Sequence, residues 1–137
     1  ISVTVTGENA RQNAIPLGNR RSQIRLVQSN GLDHPALKQR APYNLIIANI
    51  LAGPLVGLAP QIAAAATTGT VLLLAGLLSR QKAEVVRAYV REGFRLRHTQ
   101  LDNEWPSLTL VKSKKYGWRR KAHQRKSPLA PDYFGEI

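Results

Sequence analysis

Between Arg40 and Arg80 the chain carries no charged residue. A stretch this long and uncharged either crosses a bilayer or is folded back on itself inside a protein core. Crossing takes about 20 consecutive apolar residues. Here Asn44, Asn49, Gly53-Pro54, Gly57, Pro60-Gln61 and Thr67-Thr68-Gly69-Thr70 break the segment into strand, helix and strand, each too short to span. Uncharged strands flanking a helix are what a parallel sheet requires, because both of its faces are covered. The interval therefore specifies an α/β fold and argues against a membrane-associated hairpin.

Around it the pattern extends in both directions. Leu45 to Ala48 reads as a buried strand, and Pro54 suits the first helical position, where its missing N–H costs nothing. Leu55, Leu58, Ala59, Ile62 and Ala66 recur at helical spacing as an apolar stripe. After a turn at Thr67 to Thr70, Val71 to Ala75 forms a second apolar strand. Ser79 is placed to cap a helix that turns Ala83, Val86 and Val90 to the sheet. Gly93 ends that helix, since glycine accepts the left-handed conformation. Phe94-Leu96-His98 and Leu108-Leu110 alternate around Asp102-Asn103, which predicts a terminal antiparallel hairpin. Upstream, Gly18 and Asn19 mark a turn, Ile24 to Gln28 alternates like a strand, and Gly31 to Pro42 reads as loop.

Asn49 is the residue of most chemical interest. In open α/β sheets ligands bind outside the carboxyl ends of the strands, so a polar side chain ending an apolar strand stands where a substrate or cofactor would lie. The plainer role is capping the following turn, which asparagine also does well.

The phrase Asn49-Ile50-Leu51-Ala52-Gly53-Pro54-Leu55 resembles the signature of PrmA, the family of methyltransferases of large-subunit ribosomal protein eleven. Matches continue on both sides: Glu8-Asn9-Ala10-Arg11-Gln12-Asn13, Ser29-Asn30-Gly31-Leu32, Leu58-Ala59-Pro60, Gly76-Leu77-Leu78, the Gln81 helix and Glu104-Trp105-Pro106, in the family's order over residues 1–112. By periodicity Ile1 to Thr6 is a strand, whereas the resemblance makes it a helix running through Asn13; the helix is the expectation adopted. The glycine turn after the first strand and the ribose-binding acid after the second, which class I methyltransferases use to hold S-adenosylmethionine, have no counterpart here. The fold expected is thus a partial Rossmann-like class I methyltransferase sheet lacking its first two strands, with a C-terminal antiparallel hairpin. Stripped of those neighbours, Ile24 to Gln28 and the edge of Leu45 to Ala48 should re-pair with each other or self-associate with another chain.

The resemblance assigns roles. Asn49, with the backbone carbonyl of Ile50, would hold the reacting amine or the amino-acid end of S-adenosylmethionine. Ser29 and Asn30 fall in the adenine-facing loop, although a turn before Gly31 explains them equally well. Gly53 and Pro54 would let the substrate backbone approach closely, and also simply start a helix. Trp105 would line the substrate channel or pack beside Pro106.

Charge supplies a rival. The chain carries a formal net charge of +12, and lysine and arginine contacts to phosphates drive binding to polyanions. A tail over residues 113–137 continues a basic run in which Lys112, Lys114, Lys115, Arg119, Arg120 and Lys121 surround Tyr116 and Trp118, a mixture that can hold single-stranded RNA or the ribosome. Such runs are more often solvated faces. With no cysteine, disulfides and thiolate metal sites are excluded, and the three histidines are too scattered for a zinc site. No basic start followed by an apolar core marks a secretory signal. The expected function is a fragment of an S-adenosylmethionine-dependent protein methyltransferase, cytoplasmic, acting in the intact enzyme on amino groups of a ribosomal protein. The alternative is an RNA- or ribosome-binding module.

Overall fold

The computed structural model describes residues 1–114; residues 115–137, with Lys115, Arg119, Arg120 and Lys121 of the basic tail, lie outside the described residues. Helix α1 (Ser2–Gln12) and the short α2 (Pro35–Lys38) precede a strand, helix, strand unit of β1 (Tyr43–Asn49), α3 (Ala52–Ala64) and β2 (Ala66–Ala75). A 3-10 turn over Ser79–Gln81 leads into α4 (Lys82–Arg91), and β3 (Phe94–Asp102) and β4 (Trp105–Lys112) form the closing hairpin. The strands make one sheet in the order β1-β2-β4-β3. β1 and β2 are parallel, and β4 is antiparallel to both β2 and β3. This is the expected half-sheet.

One face of the sheet carries the core. Leu72 and Leu74 of β2 and Leu108 and Leu110 of β4 are buried against Leu55, Ala59 and Ile62 of α3 and Val85 and Tyr89 of α4. The Tyr89 hydroxyl, buried, donates to the Leu55 carbonyl at 2.8 Å and so ties the two helices together. Its ring meets Phe94 edge to face, centroids 5.8 Å apart, an arrangement that adds about 0.5–1.5 kcal/mol beyond area burial. Burial pushes the Tyr89 phenol up to about 12.

Several local expectations are corrected. Ile24 to Gln28 is not a strand: only a bridge from Leu17 to Ile24 forms. The sheet ends at β1, and without a neighbour a lone extended segment has no ladder to join. Nor does it re-pair with β1, whose Leu45 and Ile47 stand 53% and 66% exposed. The loop expected over residues 31–42 contains α2, started by His34, whose Nδ1 accepts from the Ala36 N–H at 3.1 Å. Pro54 is the third helical residue rather than the first, still among the positions whose N–H has no helical partner. Ala66 opens β2 instead of ending the helical stripe.

Thr67 to Thr70 is a bulge inside β2, not a turn between elements. Tyr43 pairs with Ala66 and Leu45 already with Val71. Buried Thr70 holds the bulge: its Oγ1 accepts from Thr67 N–H at 2.9 Å and donates to the Tyr43 carbonyl at 2.6 Å. In α4 the inward face is Val85 and Tyr89, while Val90 is exposed. The 3-10 entry shifts the helix phase, and Ser79 serves the hairpin rather than a cap, its N–H donating to the Glu104 carbonyl at 2.8 Å. α1 is helical despite its β-branched start. Gly7 and Ala10, one turn apart, are its buried positions, and a Cβ on Gly7 would lie 3.5 Å from Leu26. Finally, Lys112 belongs to β4, not to a tail. Its ammonium donates to the Glu92 carbonyl at 2.5 Å and the Ala63 carbonyl at 3.5 Å, and sits 4.8 Å from the Phe94 ring centre. A cation there complements the carboxyl ends of α3 and α4.

Candidate functional site at the carboxyl end of the parallel strands

β1 ends at Asn49, in register with Ala75, the last residue of β2. The Ile50 N–H donates to the Ala75 carbonyl at 3.3 Å, extending the parallel pairing by one step. Leu51 then turns the chain into α3 as its N-cap and offers no side-chain hydrogen bond. Asn49 therefore does not cap this helix. Among the described residues its side-chain amide makes no hydrogen bond, and the residue is exposed.

The facing turn explains what surrounds it. Gly76 follows β2 with φ +83, and a Cβ there would fall 2.7 Å from the Ile50 carbonyl oxygen and 2.9 Å from Asn49 Oδ1. Both distances are shorter than any side chain tolerates. Two carbonyl oxygens, one from a side chain and one from the backbone, thus lie close beside Gly76, an approach that a side chain at this position would block. In the sequence Gly76 figures only within the Gly76-Leu77-Leu78 match. The available signal was its place directly after an apolar strand of a parallel pair, where ligand-binding turns occur.

The other candidate residues divide. Gly53 and Pro54 sit in the first turn of α3, immediately after the acceptor pair, and a Cβ on Gly53 would meet nothing within 4 Å, so this turn presents an open surface. Trp105 begins β4, which runs antiparallel to β2, and so stands at the same end of the sheet as Asn49. At 55% exposure it is not a core residue. Ser29 and Asn30 lie on the loop that docks on the middle of α3. There the Leu32 N–H donates to Gln61 Oε1 at 2.8 Å, and Gly31, φ +63, has Leu58 and Gln61 against its missing Cβ. Among the described residues no hydrogen bond joins this loop to Asn49. Ser29 Oγ is buried with no hydrogen-bond partner. A buried hydroxyl left unpaired is costly.

A further concavity lies elsewhere. A cavity of about 540 Å³ opens at the start of β1, lined by Leu32, Leu37, Tyr43, Gln61, Ala64 and Ala65. Its polar groups are already used: the Tyr43 hydroxyl donates to the Leu37 carbonyl at 2.8 Å, and Gln61 holds Leu32. At its rim Lys38 pairs with Asp33 and, mainly by hydrogen bonding, holds that carboxyl below its usual range.

A family model described as Ribosomal protein L11 methyltransferase (PrmA) matches residues 1–113. The chain belongs to that family. PrmA-family relatives named ribosomal protein L11 methyltransferase include one from Mesorhizobium japonicum, 39% identical over 110 residues, covering 80% of this chain and 36% of the relative. Another, from Chelativorans sp., is 38% identical over 108 residues, covering 79% and 36%. The chain therefore spans little more than a third of the curated relatives it matches. Its fold is similar to the crystal structure of the ribosomal protein L11 methylase from Lactobacillus delbrueckii subsp. bulgaricus. The TM-score is 0.67 at 23% identity, covering 82% of this chain and 53% of that one. Among the described residues no helix is long and apolar enough to cross a membrane, and no cluster of metal-ligating side chains occurs.

Proposed function

We propose that this chain supplies the amine-holding half of the active site of an S-adenosylmethionine-dependent methyltransferase whose intact form, in the cytoplasm, methylates amino groups of ribosomal protein L11. One observation carries the reading: Asn49 Oδ1 and the Ile50 carbonyl converge beside Gly76. A neutral primary amine has two N–H donors and one lone pair. Donating both hydrogens to these oxygens fixes the nitrogen and leaves the lone pair free to point at an electrophile, which is the orientation transfer requires.

S-adenosylmethionine, when bound, supplies that electrophile as a sulfonium methyl. An amine held between these oxygens would become positively charged on taking up the methyl group. Neutral acceptors already aimed at its hydrogens then gain strength, so they stabilise the transition state more than the bound amine. The surplus proton leaves the product ammonium to solvent. The chain's own groups fit such a cofactor in part: Ser29 Oγ is a buried hydroxyl without a partner, on the loop expected to face adenine. Gly53, in the turn after Ile50, and Trp105, at the same end of the sheet, would bound the path of the incoming side chain.

Neutrality is the point to test. Asn49→Asp in the complete protein retains shape but introduces a carboxylate, which would hold the amine protonated and remove its lone pair. Methyl transfer to purified ribosomal protein L11, followed by mass spectrometry across pH, should fall at neutral pH and recover as pH rises. An unaltered pH profile with full activity would overturn the role given to Asn49.

A further inference from the structure

A second surface lies along α4 and the outer strand β3. A groove of about 520 Å³ runs between them, with Lys82 and Arg87 on its wall and Ala83, Val86 and Leu96 along its floor. From Arg80 to Arg97 the chain carries six cations, Arg80, Lys82, Arg87, Arg91, Arg95 and Arg97, against two carboxylates, Glu84 and Glu92. Among the described residues the single ion pair is Lys38 with Asp33, so none of these six is neutralised, whether by Glu84 and Glu92 or by Asp102 and Glu104 of the hairpin. Leu96 faces the groove, so its neighbours Arg95 and Arg97 turn to the other face of the sheet, and the cations at the groove are Lys82 and Arg87, with Arg91 one helical turn beyond.

We propose that this groove binds the phosphate backbone of RNA. Two of the three cations at the groove, Arg87 and Arg91, are arginine, whose planar fork matches phosphate oxygens and is less tightly hydrated than an ammonium. Arg87 and Arg91 project from α4 one turn apart, about 6 Å along the axis, so successive phosphates of one strand can each meet a guanidinium. Arg87 is also held in place: its Nε donates to the Ala83 carbonyl at 3.1 Å, leaving the terminal nitrogens for a ligand. The apolar floor can take sugar and base faces. RNA, rather than another polyanion, follows from the ribosomal substrate proposed above; the binding itself does not depend on methyl transfer.

The test uses the full 137-residue chain and a fluorescein-labelled single-stranded RNA, read by anisotropy from low to physiological salt. Replacing Lys82, Arg87 and Arg91 together by glutamine should weaken binding at least tenfold. It should also lower the slope of log affinity against log salt by about 2, since each single-strand phosphate contact contributes about 0.7. A matched variant, Arg11→Gln with Arg20→Gln and Arg21→Gln, removes the same charge elsewhere and should change either quantity far less. Equal losses in the two variants would show attraction to net charge alone and overturn the groove assignment, as would an unchanged slope in the first. Displacement of the RNA by polyglutamate at equal charge concentration would overturn its preference for phosphate.

Discussion

The two ends of the parallel pair β1 and β2 could hardly differ more. At the start of β1 a wide apolar cavity has its polar groups already partnered: Tyr43 to Leu37, Gln61 to Leu32, Thr70 to the Tyr43 carbonyl. At the other end an exposed asparagine amide and a backbone carbonyl both close on Gly76. The first end is structure whose polar groups serve the fold. The second holds acceptors that the fold does not use. The proposed site is therefore chosen by unspent hydrogen-bonding capacity rather than by volume.

The largest expected effect is at Gly76. A methyl group there collides with both acceptors and must adopt φ +83. Gly76→Ala in the complete protein is expected to lower methyl transfer by about 10²-fold or more, the scale of losing one preorganised polar contact. It should also cost about 1–3 kcal/mol of stability from backbone strain. Activity within a few-fold of the parent would show that the acceptors need no open space beside them.

Next is the far end. Thr70→Val leaves the Tyr43 carbonyl and the Thr67 N–H without their partner, and is expected to cost about 1–3 kcal/mol in urea unfolding. kcat per folded molecule should be unchanged. Lost turnover at full folding would mean that the two ends communicate.

Gly53→Ala is the finer probe. With open space around its Cβ, alanine should raise helix stability by about 0.5–1 kcal/mol. If substrate backbone passes over this turn, KM rises with kcat little altered. A stabilised enzyme with unaltered KM would leave Gly53 as a helix-starting residue only.

The smallest effect is on pH dependence. Tyr89 is held neutral in the fold to about 12, while an unfolded tyrosine ionises near 10. Its contribution is therefore complete below pH 10 and is lost as pH rises from 10 towards 12. Tyr89→Phe should flatten the fall of stability over that window, checked by denaturant midpoints between pH 8 and 11.

The sequence made β1, α3, β2, α4 and the hairpin legible because each carries its own periodicity, and Asn49 legible because a polar residue ends an apolar run. What escaped depended on partners distant in the chain. Ile24 to Gln28 has strand alternation but no neighbour to pair with. The inward face of α4 follows from its 3-10 entry, anchored by Ser79 on Glu104. Lys112 reads as tail charge until the carboxyl ends of α3 and α4 are brought to it. The part played by Gly76 exists only once two strand ends are laid side by side.

The most direct test compares Asn49→Ala with Gln61→Ala in the complete protein, measuring methyl transfer to ribosomal protein L11 and melting temperature in parallel. Asn49→Ala is expected to lose about 10²-fold in kcat/KM with its melting temperature unchanged, because its amide contributes no hydrogen bond to the fold. Gln61→Ala, which removes the acceptor of the Leu32 N–H and so loosens the Ser29–Asn30 loop, is expected to melt earlier and keep its turnover at saturating S-adenosylmethionine. An Asn49→Ala enzyme that melts earlier yet transfers methyl groups at the parent rate would contradict the account.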